Sequence, residues 1–350
     1  MTMLIKTNLT SFLTSVTFIF ITQDLPAQDN PQITPLDDIT VTATRIEKKA
    51  DEIPASVGVV DKHDIQFASQ QTGLDESLVN MPGIFMQNRY NFAQDLRISI
   101  RGFGARSSFG IRGIKVLVDG IPESTPDGQA NVDSIDIGSS GRMQVIRGPV
   151  SSLYGNASGG AIIIESESPP ETPYISFRPS FGTDGFQKHQ IKFAGKQEKL
   201  EYLVNISDLD YDGYRGHSHT ESTLLNSKFG YAIDDSSKLT AILNITDSPT
   251  ADDAGGLTLE EVSADRSQAR EKNITVDSGE ALTQERFGLI YEKILVMQIN
   301  SRYVITIFRV ILTSALQLVG LVKVLICSVS QWVEAHNILA SIHLLTLIIA

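Results

Sequence analysis

The stretch Gln144–Ser166, QVIRGPVSSLYGNASGGAIIIES, constrains the fold more than any other part of the chain. Gly148, Gly155, Gly159 and Gly160 free the backbone for positive φ or close approach, while Pro149 fixes φ and removes a donor. The segment then runs straight into an apolar strand. It predicts tight turns laid against neighbouring backbone, with an ordinary Gly-rich βαβ turn as the bland alternative.

Charge narrows the partners. Lys and Arg total 29 against 41 Asp and Glu, a net charge of −12, which is the wrong sign for a nucleic-acid surface. Cys327 is the single cysteine, so no intrachain disulfide and no Cys-based zinc site can be built. Residues 1–27 carry Lys6, an apolar run centred on Phe12 to Ile21 and then Leu25-Pro26-Ala27, the layout of a cleaved secretory signal peptide. Residues 28–52 are polar, contain Pro31 and Pro35, and read as an extended mobile segment. Within it Asp38-Ile39-Thr40-Val41-Thr42-Ala43 is a short β-prone run.

From 53 to 168 short apolar runs alternate with glycine turns: Ser56 to Val60, Leu96 to Ile100, Gly113 to Val118, Arg142 to Ile146 and Ala161 to Ile164. One helix is predicted at Leu74 to Val79, stopped by Met81-Pro82-Gly83. These runs make a compact mixed α/β unit. Four motifs occur in it in order: Asn80-Met81-Pro82-Gly83, the strand and turn Asp95 to Gly104 (DLRISIRGFG), the hairpin Lys115 to Pro122 (KVLVDGIP), and the RGP to GG segment of Gln144–Ser166. Together they resemble the plug domain of TonB-dependent outer-membrane receptors. The run from Arg101 to Gln129 is further similar to the subgroup of iron-complex and pyrroloquinoline quinone receptors.

Over 174–293 the period changes to two. Leu200, Tyr202, Val204 and Ile206 alternate with mostly polar residues, as do Leu239, Ala241, Leu243 and Ile245, and short and long connections alternate between the runs. A barrel with lipid outside and water or plug inside produces this pattern, and a soluble β-sandwich is the other fold that does. At about 9–11 residues per crossing plus loops there is room for about six strands, whereas the resemblance implies a barrel of about 22. The fold class implied is a mixed α/β plug domain followed by an incomplete antiparallel transmembrane β-barrel. Residues 294–350 contain no proline, one glycine, one acid and three basic residues, without alternation. They are read as an aberrant tail after a truncation or frame shift, with a helical hairpin as the alternative.

No catalytic constellation is present: there is no P-loop, no complete dinucleotide fingerprint and no nucleophile elbow, so no enzyme activity and no cofactor are expected. His217 and His219 could share a metal from one face of a strand; they are read instead as part of a polar outer loop, and no metal site is assigned. The resemblance implies the remaining roles. Asp38, Ile39, Thr40, Val41, Thr42 and Ala43 become the TonB box, captured by strand addition to TonB of the inner-membrane energy-transducing complex. Arg101 and Arg147 become a latch from plug to barrel carboxylates. Phe103, Arg106, Ser107, Ser108 and Phe109, with Asp127 from the second loop Glu123 to Gln129, offer a guanidinium, hydroxyls and aromatic faces to an anionic, planar or chelated small molecule. The function implied is energy-coupled uptake of a scarce ligand, such as an iron chelate or pyrroloquinoline quinone, across the lipid of a Gram-negative outer membrane. A non-functional truncated product and a surface-binding protein without transport are the alternatives.

Overall fold

The computed structural model describes residues 53–107, 110–125 and 128–293 with their side chains, and describes as backbone the strands Thr40–Val41 (β1), Lys48–Lys49 (β2), Ile299–Ser314 (β16), Val324–Ala335 (β17) and Ile338–Ile349 (β18), all within the unit Ile39–Ala350. β1 and β2 form a small antiparallel pair in which Val41 faces Lys48.

The plug is built on a five-stranded sheet of order β3-β8-β9-β6-β7, formed by Ser56–Asp61 (β3), Ile114–Val118 (β6), Ile121–Pro122 (β7), Ser140–Arg147 (β8) and Gly160–Ser166 (β9). Only β6 and β9 run parallel. Central β9 is buried on both faces, which is why its sequence is a continuous apolar run. Ile162 and Ile164 point to one cluster with Ile98, Ile114, Met143 and Val145, and Ala161 and Ile163 to a second with Ile53, Ile146 and Tyr154. The first cluster is roofed by Lys62–Gln66 (α1), whose N-cap Asp61 accepts from the Asp64 amide, and by Leu74–Leu78 (α2). A separate ribbon, Ile84–Gln87 (β4) with Arg97–Ile100 (β5), closes the same side. Ser151–Tyr154 (α3) fills the turn between β8 and β9.

The paired glycines before β9 are both demanded by space. Gly160 has φ +144°, and a Cβ on it would stand 2.2 Å from the Ile146 carbonyl oxygen; one on Gly159 would stand 2.4 Å from the Phe103 Cβ. At the other end of β6, Asp119 and Gly120 both have positive φ and close a two-residue hairpin into β7, the conformation that an Asp-Gly pair favours.

Beyond the plug the chain is an antiparallel meander: Tyr174–Phe181 (β10), Gln187–Gln197 (β11), Leu200–Tyr211 (β12), Thr220–Asp234 (β13), Ser237–Asp252 (β14) and Gly279–Leu295 (β15), then β16 to β18. Six strands therefore fall in 174–293, as the spacing predicts. Two-residue turns at 198–199 and 235–236 lie at one end, with the connections 212–219 and 253–278 at the other. The long connection carries two short helices, Leu259–Ala264 (α4) and Glu271–Thr275 (α5), that the alternation did not announce; α4 opens on a Thr258/Glu261 capping box. The tail is a correction as well. The described segments β16, β17 and β18 are not helical but continue the sheet, Phe287 facing Ile307 and Cys327 facing Thr346. Among the described residues β10 and β18 stay unpaired to each other, so the sheet is open.

The sheet is inside out relative to a soluble sandwich. Ile175, Phe177, Ile206, Phe229, Leu243 and Phe287 are exposed on its outer face, whereas Lys192, Asn205, Asn226, Asn244 and Arg286 are buried on the inner one. Water would select the reverse, and lipid outside with a polar filling inside selects this.

Candidate functional site

The inner face is polar because it seats the plug. Lys192, Asn205, Asn226, Asn244 and Arg286 are successive partners across β11 to β15, one row of the sheet. The period of two turns every member of that row inward. Lys192 Nζ stands 2.7 Å from a Glu167 carboxylate oxygen, Asn205 donates to Asp136 at 2.6 Å, and Asn226 donates to the Ser139 hydroxyl at 2.5 Å. Behind Asn226 the donors run in one direction: Arg286 Nε to Asn244 Oδ1 at 2.7 Å, then the Asn244 amide to Asn226 Oδ1. The Arg286 guanidinium is paired with Glu123, both side chains almost wholly buried. Each amide serves as donor and acceptor at once, so the row polarises as a chain.

The next inward row, Leu203, Lys228, Ile242 and Gly288, repeats the arrangement. Gly288 lets Ile121 of the plug approach, since a Cβ there would be 2.4 Å from Ile121 Cδ1. Lys228 Nζ reaches Asp119 Oδ1 at 2.6 Å, and Asp119 also accepts from the Ser166 amide at 3.1 Å and the Ser166 hydroxyl at 2.7 Å. Burial pushes the Asp119 carboxyl up, but the Lys228 charge and these hydrogen bonds outweigh it and hold the group below the ordinary carboxylate range. The aspartate of the VDG hairpin is thus a turn residue and a staple between plug and wall.

The latch expected from Arg101 and Arg147 is corrected by this geometry. Arg101 is exposed, its guanidinium 3.4 Å from the Arg147 carbonyl oxygen, and Arg147 Nη1 donates to the Pro82 carbonyl at 2.9 Å. Both donate to plug backbone. The described plug-to-wall ion pairs have the opposite polarity, with carboxylates Asp119, Glu123 and Glu167 on the plug side and Lys228, Arg286 and Lys192 on the strands.

The two loops expected to meet a ligand lie side by side. Ile111 and Ala130 form a β-bridge, Arg112 donates to Gln129 at 2.9 Å, and a Cβ on Gly110 would collide with Gln129. Phe103 is half exposed and packs over Gly159, Arg106 is exposed with no hydrogen-bond partner among the described residues, and Ser107 is buried with its amide donating to Gly104. Ser108, Phe109 and Asp127 lie outside the described residues, as do Asp38, Ile39, Thr42 and Ala43 of the coupling run; Thr40 and Val41 are β1. Glu123 is a wall contact rather than part of an exposed loop. A cavity of about 60 Å³ between plug and wall, lined among others by Asn131, Asp133 and Glu280, holds water-sized guests only, far below the several hundred Å³ of a small-molecule site.

The family model of the TonB-dependent receptor plug domain matches residues 49–162. Residues 49–162 thus carry the plug domain of the TonB-dependent receptors. The chain is 28% identical over 211 residues to a vitamin B12 transporter BtuB of Vibrio vulnificus, covering 57% of this chain and 33% of that protein. A hemin receptor of Yersinia enterocolitica is 33% identical over 129 residues, 36% of this chain and 17% of that one. Among solved structures, the ferric citrate transporter FecA superposes with a TM-score of 0.64 at 20% identity, over 81% of this chain and 43% of its own. The ferric yersiniabactin uptake receptor FyuA of Yersinia pestis gives 0.61 at 16% identity, over 80% and 44%. The chain spans about a third of the length of the B12 transporter it matches and less than half of the solved receptors.

Proposed function

We propose that this receptor chain serves energy-coupled uptake of a scarce small ligand through a Gram-negative outer membrane, the plug closing the path that the strands enclose. The observation that carries the reading is the inverted wall: apolar outward, polar inward, with the polar rows bonded to a plug that has its own core. The division of labour follows the sequence: residues 1–27 as an export signal, 28–52 as the coupling segment, 53–168 as plug and 174–293 as wall strands.

The ligand is an anionic, planar or chelated molecule, an iron chelate or a cofactor of the pyrroloquinoline quinone kind, met by Phe103, Arg106, Ser107, Ser108, Phe109 and Asp127. The named cargoes of the relatives, vitamin B12, hemin and ferric chelates, support this class without selecting a member. On the periplasmic side Asp38 to Ala43 is the strand offered to TonB, which adds by main-chain hydrogen bonds and therefore asks for β-propensity more than for particular side chains. The test is binding of the soluble periplasmic domain of TonB to the purified chain. Val41→Pro removes a backbone donor from that strand and is expected to abolish the interaction while ligand affinity stays unchanged. Unchanged TonB binding by Val41→Pro refutes the assignment.

A further inference from the structure

Away from the plug, the hairpin of β12 and β13 gathers a second set of side chains. Tyr211 faces Thr220 in the register, so Asp210 and Asp212 on one side of the connection lie opposite His219 and Glu221 on the other. One oxygen from each aspartate and one ring nitrogen of His219 all fall within 4.8 Å of one another. His219 Nδ1 stands 3.4 Å from Asp212 Oδ1 and 3.9 Å from Asp210 Oδ1. That nitrogen is shielded from solvent and has no hydrogen-bond partner among the described residues. The other ring nitrogen, Nε2, is 3.2 Å from Glu221 Oε1.

In the neutral tautomer whose Nε2–H donates to Glu221, Nδ1 turns a lone pair toward two carboxylates. Three electron-rich atoms facing one another repel unless a cation lies between them. A carboxylate behind the imidazole is also the usual means of fixing the tautomer and ring orientation of a metal-bound histidine. Distances agree: ligands at 2.0–2.1 Å from a tetrahedral ion are about 3.3 Å apart. The Nδ1 to Asp212 separation already has that value, and Asp210, exposed at the end of β12, has to come about half an ångström nearer the ring nitrogen.

We propose that Asp210, Asp212 and His219 bind one divalent ion of the zinc class, with Glu221 positioning the imidazole, and that the ion ties the end of β12 to the start of β13. One nitrogen and two oxygens favour zinc or a neighbouring transition ion over calcium or magnesium, which take all-oxygen shells of six or more ligands. His217 is not part of the set, because its Nε2 is engaged 2.9 Å from the Ser278 carbonyl oxygen.

The experiment uses the full chain refolded in detergent, freed of metal with a chelator, and titrated with zinc chloride against a chromogenic zinc indicator. One ion per chain is expected, with affinity reduced at least about tenfold by Glu221→Gln and more by His219→Ala, and unchanged by His217→Ala or by millimolar calcium. Asp212→Asn gives the same loss and replaces His219→Ala if that variant loses its strand signal in circular dichroism. A protonated ring held by the two aspartates is the competing arrangement and binds no zinc. Absence of zinc binding, equal affinity in wild type and His219→Ala, or equal losses in His217→Ala and His219→Ala overturns the proposal.

Discussion

Neutralising Asp119 tests whether the plug is stapled to the wall by charge. Its side chain is 3% exposed and that of Lys228 28%, and the two meet at 2.6 Å. Unit charges about 4 Å apart gain about 4 kcal/mol at an effective dielectric of ~20, and solvent at the lysine trims the gain to about 2–3 kcal/mol. Asp119→Asn isolates that term, because asparagine accepts the positive φ of the hairpin and keeps an acceptor for Ser166. The Asp119 amide donates to the Ile164 carbonyl at 2.8 Å, so hydrogen exchange of 118–121 and 162–166 in the refolded chain reports the opening. Loss of about 2–3 kcal/mol appears as opening about 30- to 150-fold more frequent. Lys228→Met, which leaves the carboxylate buried without its counter-charge, is expected to cost as much, and the double variant less than the sum. Additivity within about 0.5 kcal/mol refutes the staple. The pH dependence has a definite sign. Since the folded carboxyl titrates below its unfolded value, its contribution is complete above about pH 4 and is lost as pH falls through the depressed folded value. The difference in exchange between wild type and Asp119→Asn is therefore expected to be the same at pH 7 and pH 5.

Three further outcomes are expected. Residues 53–168 produced alone unfold cooperatively in urea, because both plug clusters draw only on residues between Ile53 and Ile164; a gradual, non-cooperative loss of signal counts against this. In that fragment Gly160→Ala costs more than about 3 kcal/mol, read as a lowered urea midpoint, since the new Cβ meets the Ile146 carbonyl and the φ is one that L residues avoid. Arg106→Ala weakens binding of anionic chelates in the full chain while Arg142→Ala, on β8, does not; equal losses by titration calorimetry remove the exposed loop from the site.

The plug strands and the six wall strands were legible because each is selected by a local rule: a two-sided apolar run for β9, alternation for β12 and β14. The α4 helix was equally local, its Thr258-to-Glu261 capping box standing in plain view inside a connection read only as long. Residues 299–349 defeated the rule for a physical reason. Their apolar residues do not alternate, and without alternation periodicity does not separate a buried helix from a strand. What decides there is pairing with β15, which no window along the chain contains.

Partnership at the site was legible only in part, and the reason lies in the register. That Arg101 and Arg147 end apolar runs is visible locally, but which carbonyl or carboxylate they face depends on chain tens of residues away, and both found backbone. Asn205, Asn226 and Asn244 carried a better signal. Each is a polar residue at an inward position of a predicted strand, and turn lengths of two and eight residues bring all three into one row. Because one residue of slip would turn the entire row outward to lipid, the bonds from this row to Asp136 and Ser139 fix the register of the wall as firmly as the wall fixes the plug. The wall depends on the plug for that reason: without it Lys192, Asn205, Lys228 and Arg286 exchange fixed plug acceptors for water, and the contacts that single out one register are lost.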